Sequence, residues 1–156
     1  MAIPDFVLAL RAKVGNDPLW LSGVTAVVLR DNEVLLVRRA DNGAWTPVTG
    51  IIDPGEQPAF AAERETLEEA DIVAVAEGLT RVDTMGHPIV YANGDVTQYL
   101  DLVFVCRYVS GEPHPADGEN TAAAWFPLDA LPELSDDMAE RIRSAVEFTG
   151  VTAFRR

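Results

Sequence analysis

The sequence is poor in the residues that build covalent or soft-metal centres. Its one cysteine, Cys106, excludes an internal disulfide framework and any multi-cysteine zinc or iron–sulfur site. Two histidines, His87 and His114, leave little for histidine metal chemistry. No apolar run approaches the ~20 residues of a membrane span. Basic residues are scarce: 12 Lys+Arg stand against 25 Asp+Glu, a formal net charge of −13. A general DNA- or RNA-binding surface needs basic side chains to neutralise phosphates, so that class is set aside. An anionic membrane surface is set aside for the same reason. The opening Met-Ala-Ile-Pro-Asp lacks a basic n-region, and an arginine interrupts the first apolar stretch. No signal peptide is expected there, and the expected location is cytoplasmic. Repeats, low-complexity tracts and Ser/Gly linkers are also missing.

What is present suffices for one domain. The chain has 156 residues, 48% of them apolar and 24% charged. A chain of that length buries roughly two-thirds of its unfolded surface and needs no staple. The question is where 25 carboxylates go, and whether any of them do chemistry.

Residues 4–14 predict a short amphipathic helix, with Pro4 at its first position and Gly15 at its stop. Its apolar stripe needs a partner, either the domain or a second copy. Gly23 to Arg30 and Glu33 to Arg38 read as strands, with Asp31-Asn32 as a hairpin turn. Residues 47–58 read as a loop, and 58–70 as a helix opened by Pro58. Residues 72–84 and 87–91 look extended, and Asn93-Gly94 marks another turn. Tyr99 to Val109 is the most strand-like run, with Leu100, Leu102, Phe104 and Cys106 on one face. A short strand at 122–126 and a closing helix at 137–148 complete the order. Tight turns between strands beside few helices predict a mixed α/β domain with a partly antiparallel sheet.

The informative stretch is Gly50 to Ile72, GIIDPGEQPAFAAERETLEEADI. On a helix at about 100° per residue, Glu65, Glu68 and Glu69 fall within about 100° of arc. Phe60 and Leu67 fall on the opposite side, which predicts a buried apolar face and an outward acidic one. Ala61 and Ala62 flank the acids and leave room beside them. Like charges at these spacings destabilise a helix, and the macrodipole disfavours them near its C-terminus. A divalent cation relieves both. Mg²⁺ takes oxygen ligands and shares one or two carboxylates with substrate phosphates. Gly50 to Gly55 can add backbone carbonyls, because glycine lets the backbone approach a ligand closely. A further glutamate could serve as general base.

This stretch resembles the Nudix box, G-x5-E-x7-R-E-U-x-E-E-x-G-U with U a bulky aliphatic. Gly50, Glu56, Arg64, Glu65, Glu68, Glu69 and Ile72 stand at the required spacing, seven of the nine specified positions. Thr66 replaces the first aliphatic, and Asp71 replaces the glycine that ends the family helix in a left-handed conformation. Val34 to Arg39 and Trp45 before the box, and Trp125-Phe126-Pro127-Leu128 after it, are similar to the family's flanks, so the resemblance covers most of the chain. It implies a mixed sheet sandwiched between helices, with residues 1–20 as an N-terminal helical extension and 21–156 as the Nudix domain. It implies hydrolysis of a nucleoside diphosphate linked to another moiety, with Mg²⁺ or Mn²⁺. Glu68, Glu69 and the Gly50 carbonyl would hold metal. Glu65 would be a base or a further ligand, oriented by Arg64 with Glu56. Glu119, six residues before Trp125, would be a further ligand, the base, or a solvated loop acid. The other outcomes are a Nudix-like domain that binds a nucleotide without hydrolysis, for which Asp71 is the motive, and an acidic domain with an incidental cation.

Other residues have two readings each. Asp101 would line the pocket or act as an alternative base, or be an exposed or paired edge acid. Arg38 and Arg39 would reach substrate phosphates or end a strand in solvent. Trp45, Tyr91 and Tyr99 would stack on a base or fill core. His87 reads as a turn residue and Cys106 as packed. Trp20 and the first helix would form a homodimer contact or cap the sheet. The partner expected is a small phosphate-containing nucleotide, with no nucleic-acid polymer and no membrane.

Overall fold

Two long parallel strands form the spine of the computed structural model, which describes residues 3–156. These are β1 (Leu19–Arg30) and β7 (Val96–Ser110), paired from Leu19↔Thr97 to Leu29↔Arg107. The chain enters through α1 (Asp5–Val14), which ends at Gly15 with φ 60°. After β1 come β2 (Glu33–Arg39), β3 (Trp45–Thr46), β4 (Val48–Ile51), α2 (Pro58–Ala70), β5 (Val73–Thr84) and β6 (Ile89–Val90). After β7 come β8 (Asn120–Pro127), α3 (Asp136–Val146) and β9 (Ala153–Phe154). The sheet runs β3-β2-β1-β7-β5-β9, with β4 on β1, β6 on β7 and β8 on β2. Both parallel and antiparallel pairs occur, as the sequence predicts.

The β1–β2 hairpin forms at Asp31-Asn32, with Asp31 at φ 50°. Its register covers only Leu29↔Val34 and Arg30↔Glu33, since β1 then turns to β4 and β2 to β8. The loop expected over 47–58 is corrected in its first part. Val48–Ile51 is a strand, antiparallel to Gly23–Ala26 of β1. Its glycine disguises it: Gly50 faces Glu65, so the place of a strand side chain is taken by the carboxyl group of another residue.

Both sheet faces are covered. Val24, Ala26, Val28, Leu35, Val37, Val48 and Cys106 pack with Ala61, Ala62, Ala70 and Ile72 from and beside α2. Val27, Val34, Leu36 and Val103 pack with Ile142 and Ala145 of α3. Val7 of α1 packs on Leu21 and Ile51, so α1 lies against the domain. Leu8, Leu10 and Val14 on the same helix are exposed. No described helix is long and apolar enough to cross a membrane.

Asp71 adopts the left-handed conformation at the end of α2, with φ 54° and ψ 35°. Its N–H donates to the Leu67 carbonyl at 3.0 Å. The turn therefore forms without glycine, because Asp is among the few residues that tolerate this region. Thr66 is fully buried, and its hydroxyl donates to the Ala62 carbonyl at 2.7 Å. The residual cost of the left-handed aspartate predicts that Asp71→Gly stabilises the protein by about 0.5–1 kcal/mol. Urea unfolding of the two proteins checks this; equal or lower stability of the variant contradicts it.

Candidate active site

Of the three carboxylates on the face of α2 that the sequence predicts to be outward, Glu68 is exposed, whereas Glu65 and Glu69 are buried. Glu65 is 3% exposed and Glu69 5%, while Phe60 is 63% and Leu67 47% exposed. The helix packs on β4, β5 and β1 through its alanines and glutamates. The expectation of a buried Phe60/Leu67 face is overturned by a close approach. Ala61, Ala62 and Ala70 let the helix axis near the sheet, and Gly50 makes room for Glu65. A side chain at Gly50 would overlap the Glu65 carboxyl group. Periodicity assigns the interior to apolar residues, and here two glutamates take such places.

Arg64 organises the near end. Its Nε and Nη2 donate to Glu56 Oε1 and Oε2 at 2.8 and 2.9 Å. Its Nη1 donates to Glu65 Oε1 at 2.8 Å and to Glu68 Oε2 at 3.1 Å. Nη2 also reaches the Ile51 carbonyl at 3.2 Å, tying the helix to the end of β4. One guanidinium thus aligns three carboxylates, which its planar fork suits. Arg64 holds the Glu56 carboxyl below its ordinary range. Burial pushes Glu65 up to about 7, against the pull of Arg64.

The far end is built by a segment distant in sequence. The N–H groups of His114 and Ala116 donate to the carbonyls of Ala70 and Glu69, each at 3.2 Å. The last turn of α2 is thereby capped by the 111–119 segment, which delivers Asp117 and Glu119 beside Glu69. One carboxylate oxygen from each of Glu69, Asp117 and Glu119 lies within 4.8 Å of the others. Asn120 Nδ2 donates to Glu69 Oε2 at 3.1 Å. Burial pushes Glu69 up to about 7, the Glu65 charge adds to this, and the Asn120 bond opposes it. Three converging carboxylates steadied by an amide are a donor set that fits a hard divalent cation. The structure thus brings the expected Glu69 and Glu119 together. Glu65, Glu68 and Glu56 meet at Arg64 instead. Asp117 was missed by the sequence reading. Its signal was the Asp117-Gly118-Glu119 turn, which carries acids on both sides of a glycine with φ 84°.

A groove of about 1440 Å³ lies over the acids, lined by Gly50, Glu69 and Glu119 and by the expected Arg38, Arg39, Trp45 and Asp101. Arg39 is held by Asp41 through two bonds of 2.9 and 2.6 Å. Arg38 Nε donates to the Gly43 carbonyl at 3.1 Å. Trp45 packs edge-on against Phe126 at 4.8 Å between ring centres. Asp101 is not an exposed edge acid: it is 6% exposed and paired with Arg141 at 3.0 Å. Arg141 from α3 was not anticipated, because only the fold carries it under the sheet.

The fold and the site together define an α/β domain with a glycine loop, an acidic helix and a groove above both. A NUDIX domain model matches residues 20–147, and the chain belongs to the NUDIX family. It is 36% identical over 126 residues to a MutT-like protein of Streptomyces ambofaciens, covering 80% of this chain and 73% of that one. It is 34% identical over 119 residues to the NAD-capped RNA hydrolase NudC of Pseudomonas aeruginosa, covering 75% of this chain. The chain spans only 40% of that relative's length. Its fold superposes on a MutT NUDIX hydrolase from Burkholderia pseudomallei with a TM-score of 0.64 and 27% identity, covering 81% of this chain and 98% of that one.

The Arg64 clamp predicts a pH-dependent contribution to stability. Glu56 is more acidic when folded, so its ion pair stabilises the fold above the ordinary glutamate pKa and is lost as pH falls through the lowered folded value. Glu56→Gln should lose about 1–2 kcal/mol at neutral pH and progressively less as the carboxylate of the parent protein protonates. Urea unfolding at a series of pH values checks this, and a pH-independent difference contradicts it.

Proposed function

We propose that this Nudix-family protein is a pyrophosphohydrolase that cleaves a nucleoside diphosphate linked to another moiety, using Mg²⁺ or Mn²⁺. The observation that carries the reading is the convergence of Glu69, Asp117 and Glu119 beneath a groove large enough for a nucleotide derivative. Glu69, Asp117 and Glu119 would hold the cation, with Glu68 and the Gly50 carbonyl alongside. When bound, the cation neutralises phosphate oxygens and stabilises the charge that develops as the bridge breaks.

The chain's own groups do the rest. Water attacks a phosphorus of the bridge, a P–O bond forms, and the bridging P–O bond breaks to leave a phosphate. Glu65 takes the proton of the attacking water, because Arg64 fixes its carboxylate beside Gly50. Arg64 and Glu56 are positioning residues for that step. Arg38 and Arg39 offer guanidinium groups to substrate phosphates, and Trp45 offers an aromatic wall. A relative named as an NAD-capped RNA hydrolase supports a substrate of NAD type. The motive for a non-hydrolysing reading weakens, since Asp71 forms the turn that a glycine would have formed.

In the same reading, residues 1–20 are a helical extension to a domain of 21–156, in keeping with a family match that starts at residue 20. A cytoplasmic location belongs to it, as does a homodimer through the exposed Leu8, Leu10, Val14 and Trp20.

Release of phosphate, pyrophosphate or nucleoside monophosphate from a panel of nucleoside triphosphates, dinucleotides, nucleotide sugars and ADP-ribose, with either metal, tests the activity. Glu69→Gln and Glu65→Gln should each lower kcat by about 10²–10⁴-fold with the fold intact by circular dichroism. Glu69→Gln should also reduce the rise in Tm that Mg²⁺ or Mn²⁺ produces in the parent protein. Unchanged turnover in both variants overturns the site assignment.

A further inference from the structure

The floor of the groove holds an acceptor that the hydrolysis does not use. β1 runs between β4 and β7, and its Gly23 stands opposite Ile51 on one side and Asp101 on the other. The point where a Gly23 side chain would begin lies 3.4 Å from Tyr99 Cδ1, 3.5 Å from Asp101 Oδ1 and 3.6 Å from the Gly50 carbonyl oxygen. These are ordinary contact distances, so a carbon- or oxygen-sized group fits above Gly23 without overlap. Gly23, Gly50, Tyr99 and Asp101 all line the groove.

Asp101 is fixed from behind. Arg141 Nη1 lies 3.0 Å from its Oδ2 and also donates to Thr25 Oγ1 at 2.7 Å. Thr25 Oγ1 lies 3.1 Å from Oδ1 and 3.0 Å from Oδ2, so its single proton is shared between them. Asp137 accepts from Nε and Nη2 of Arg141 and keeps that guanidinium in place. Oδ2 is therefore engaged by a charged donor, while Oδ1 has half a hydroxyl donor and faces the opening at Gly23. A carboxylate oxygen accepts two hydrogen bonds. The arrangement is a rigid acceptor with spare capacity beside the room that Gly23 leaves in the groove.

We propose that the gap at Gly23 is a sugar-hydroxyl subsite, in which Asp101 Oδ1 accepts a hydrogen bond from a ribose hydroxyl of the substrate. The inference rests on the groove being the substrate site, as argued above. A hydroxyl placed above Gly23 meets no overlap and lies beside Asp101 Oδ1. The gap adjoins the Gly50 carbonyl, which the proposed function places beside the cation that neutralises the phosphates, and the group joined to a nucleotide phosphate is its sugar. Tyr99 presents a ring edge to the same space and suits the carbon face of that sugar. The substrate class is thereby narrowed to ribose-bearing nucleotide derivatives in preference to deoxyribose ones, since an unmet buried acceptor penalises the analogue lacking the hydroxyl.

The test compares ATP, GTP and ADP-ribose with their 2′- and 3′-deoxy counterparts on the full chain with Mg²⁺ or Mn²⁺. For the pairs that are hydrolysed, one deoxy series should lose about tenfold or more in kcat/KM, chiefly through KM. Gly23→Ala, which fills the gap without overlap, should bring the ribo-to-deoxy ratio within about twofold of one while Tm stays within a few degrees. A ratio near one in the parent protein overturns the proposal without any variant. So does a Gly23→Ala protein that keeps the parent's ratio. Calorimetric binding of the same pairs separates this inference from the proposed activity. Ribose-dependent binding without hydrolysis sustains the subsite and rejects the activity. Hydrolysis without ribose preference does the reverse, and loss of both overturns both.

Discussion

The contact on which the site depends is that between Glu65 and Gly50. A glutamate on a helix is pressed against a strand at the one position where the strand has no side chain. That contact sets the rotation of α2 about its axis. With Glu65 inward, Glu69 one turn later must also be inward, and Phe60 and Leu67 must face solvent. Two carboxylates are thus removed from water, which costs free energy unless they are paired or bind a cation. Arg64 meets that requirement for Glu65, and Asn120 meets part of it for Glu69. The remainder is what makes the far end of the helix a place for positive charge.

The C-terminal turn of α2 does two jobs. Its last carbonyls need donors, as every helix end does. They find them in the backbone of the 111–119 segment, 40 or more residues along the chain. The same bonds seat Asp117 and Glu119 next to Glu69. Helix capping and assembly of the acidic cluster are thus one event, and Asp71 joins it by taking the left-handed turn that sends the chain into β5. The departure from glycine leaves this geometry in place because the backbone N–H of Asp71 still reaches Leu67.

The opposite face of the sheet follows a different rule. α3 packs by Ile142 and Ala145, but its Arg141 enters the interior to meet Asp101 and Thr25. Removing one partner of such a pair would strand a buried charge. The pair holds α3 in register with β1 and β7, and it also orients a carboxylate toward the groove. The −13 net charge is therefore not one uniform surface. Some acids converge around Glu69, and some are paired with arginines within the fold.

The spacing of Gly50, Glu56, Arg64, Glu65, Glu68 and Glu69 was enough to locate the acidic helix, the segment before it and the family. Helix bounds at 58–70, the β1–β2 turn and the mixed sheet were equally legible, because proline, turn dipeptides and β-branched runs act over a few residues. β4 was hidden because its glycine and neighbouring prolines imitate a loop. The buried direction of α2 was misread because an amphipathic count weighs side chains by polarity and does not register that a glycine across the interface can admit a glutamate. Local pattern offered only a turn at Asp117 and nothing at Arg141. Their roles depend on contacts across 40 or more residues, which exist only once β8 and α3 have docked. The sequence by itself determined which groups are available for the chemistry and on which helix most of them lie. Tertiary structure decided which carboxylates converge, which are neutralised and which face of the helix meets the sheet, because burial and long-range hydrogen bonding are properties of the packed chain.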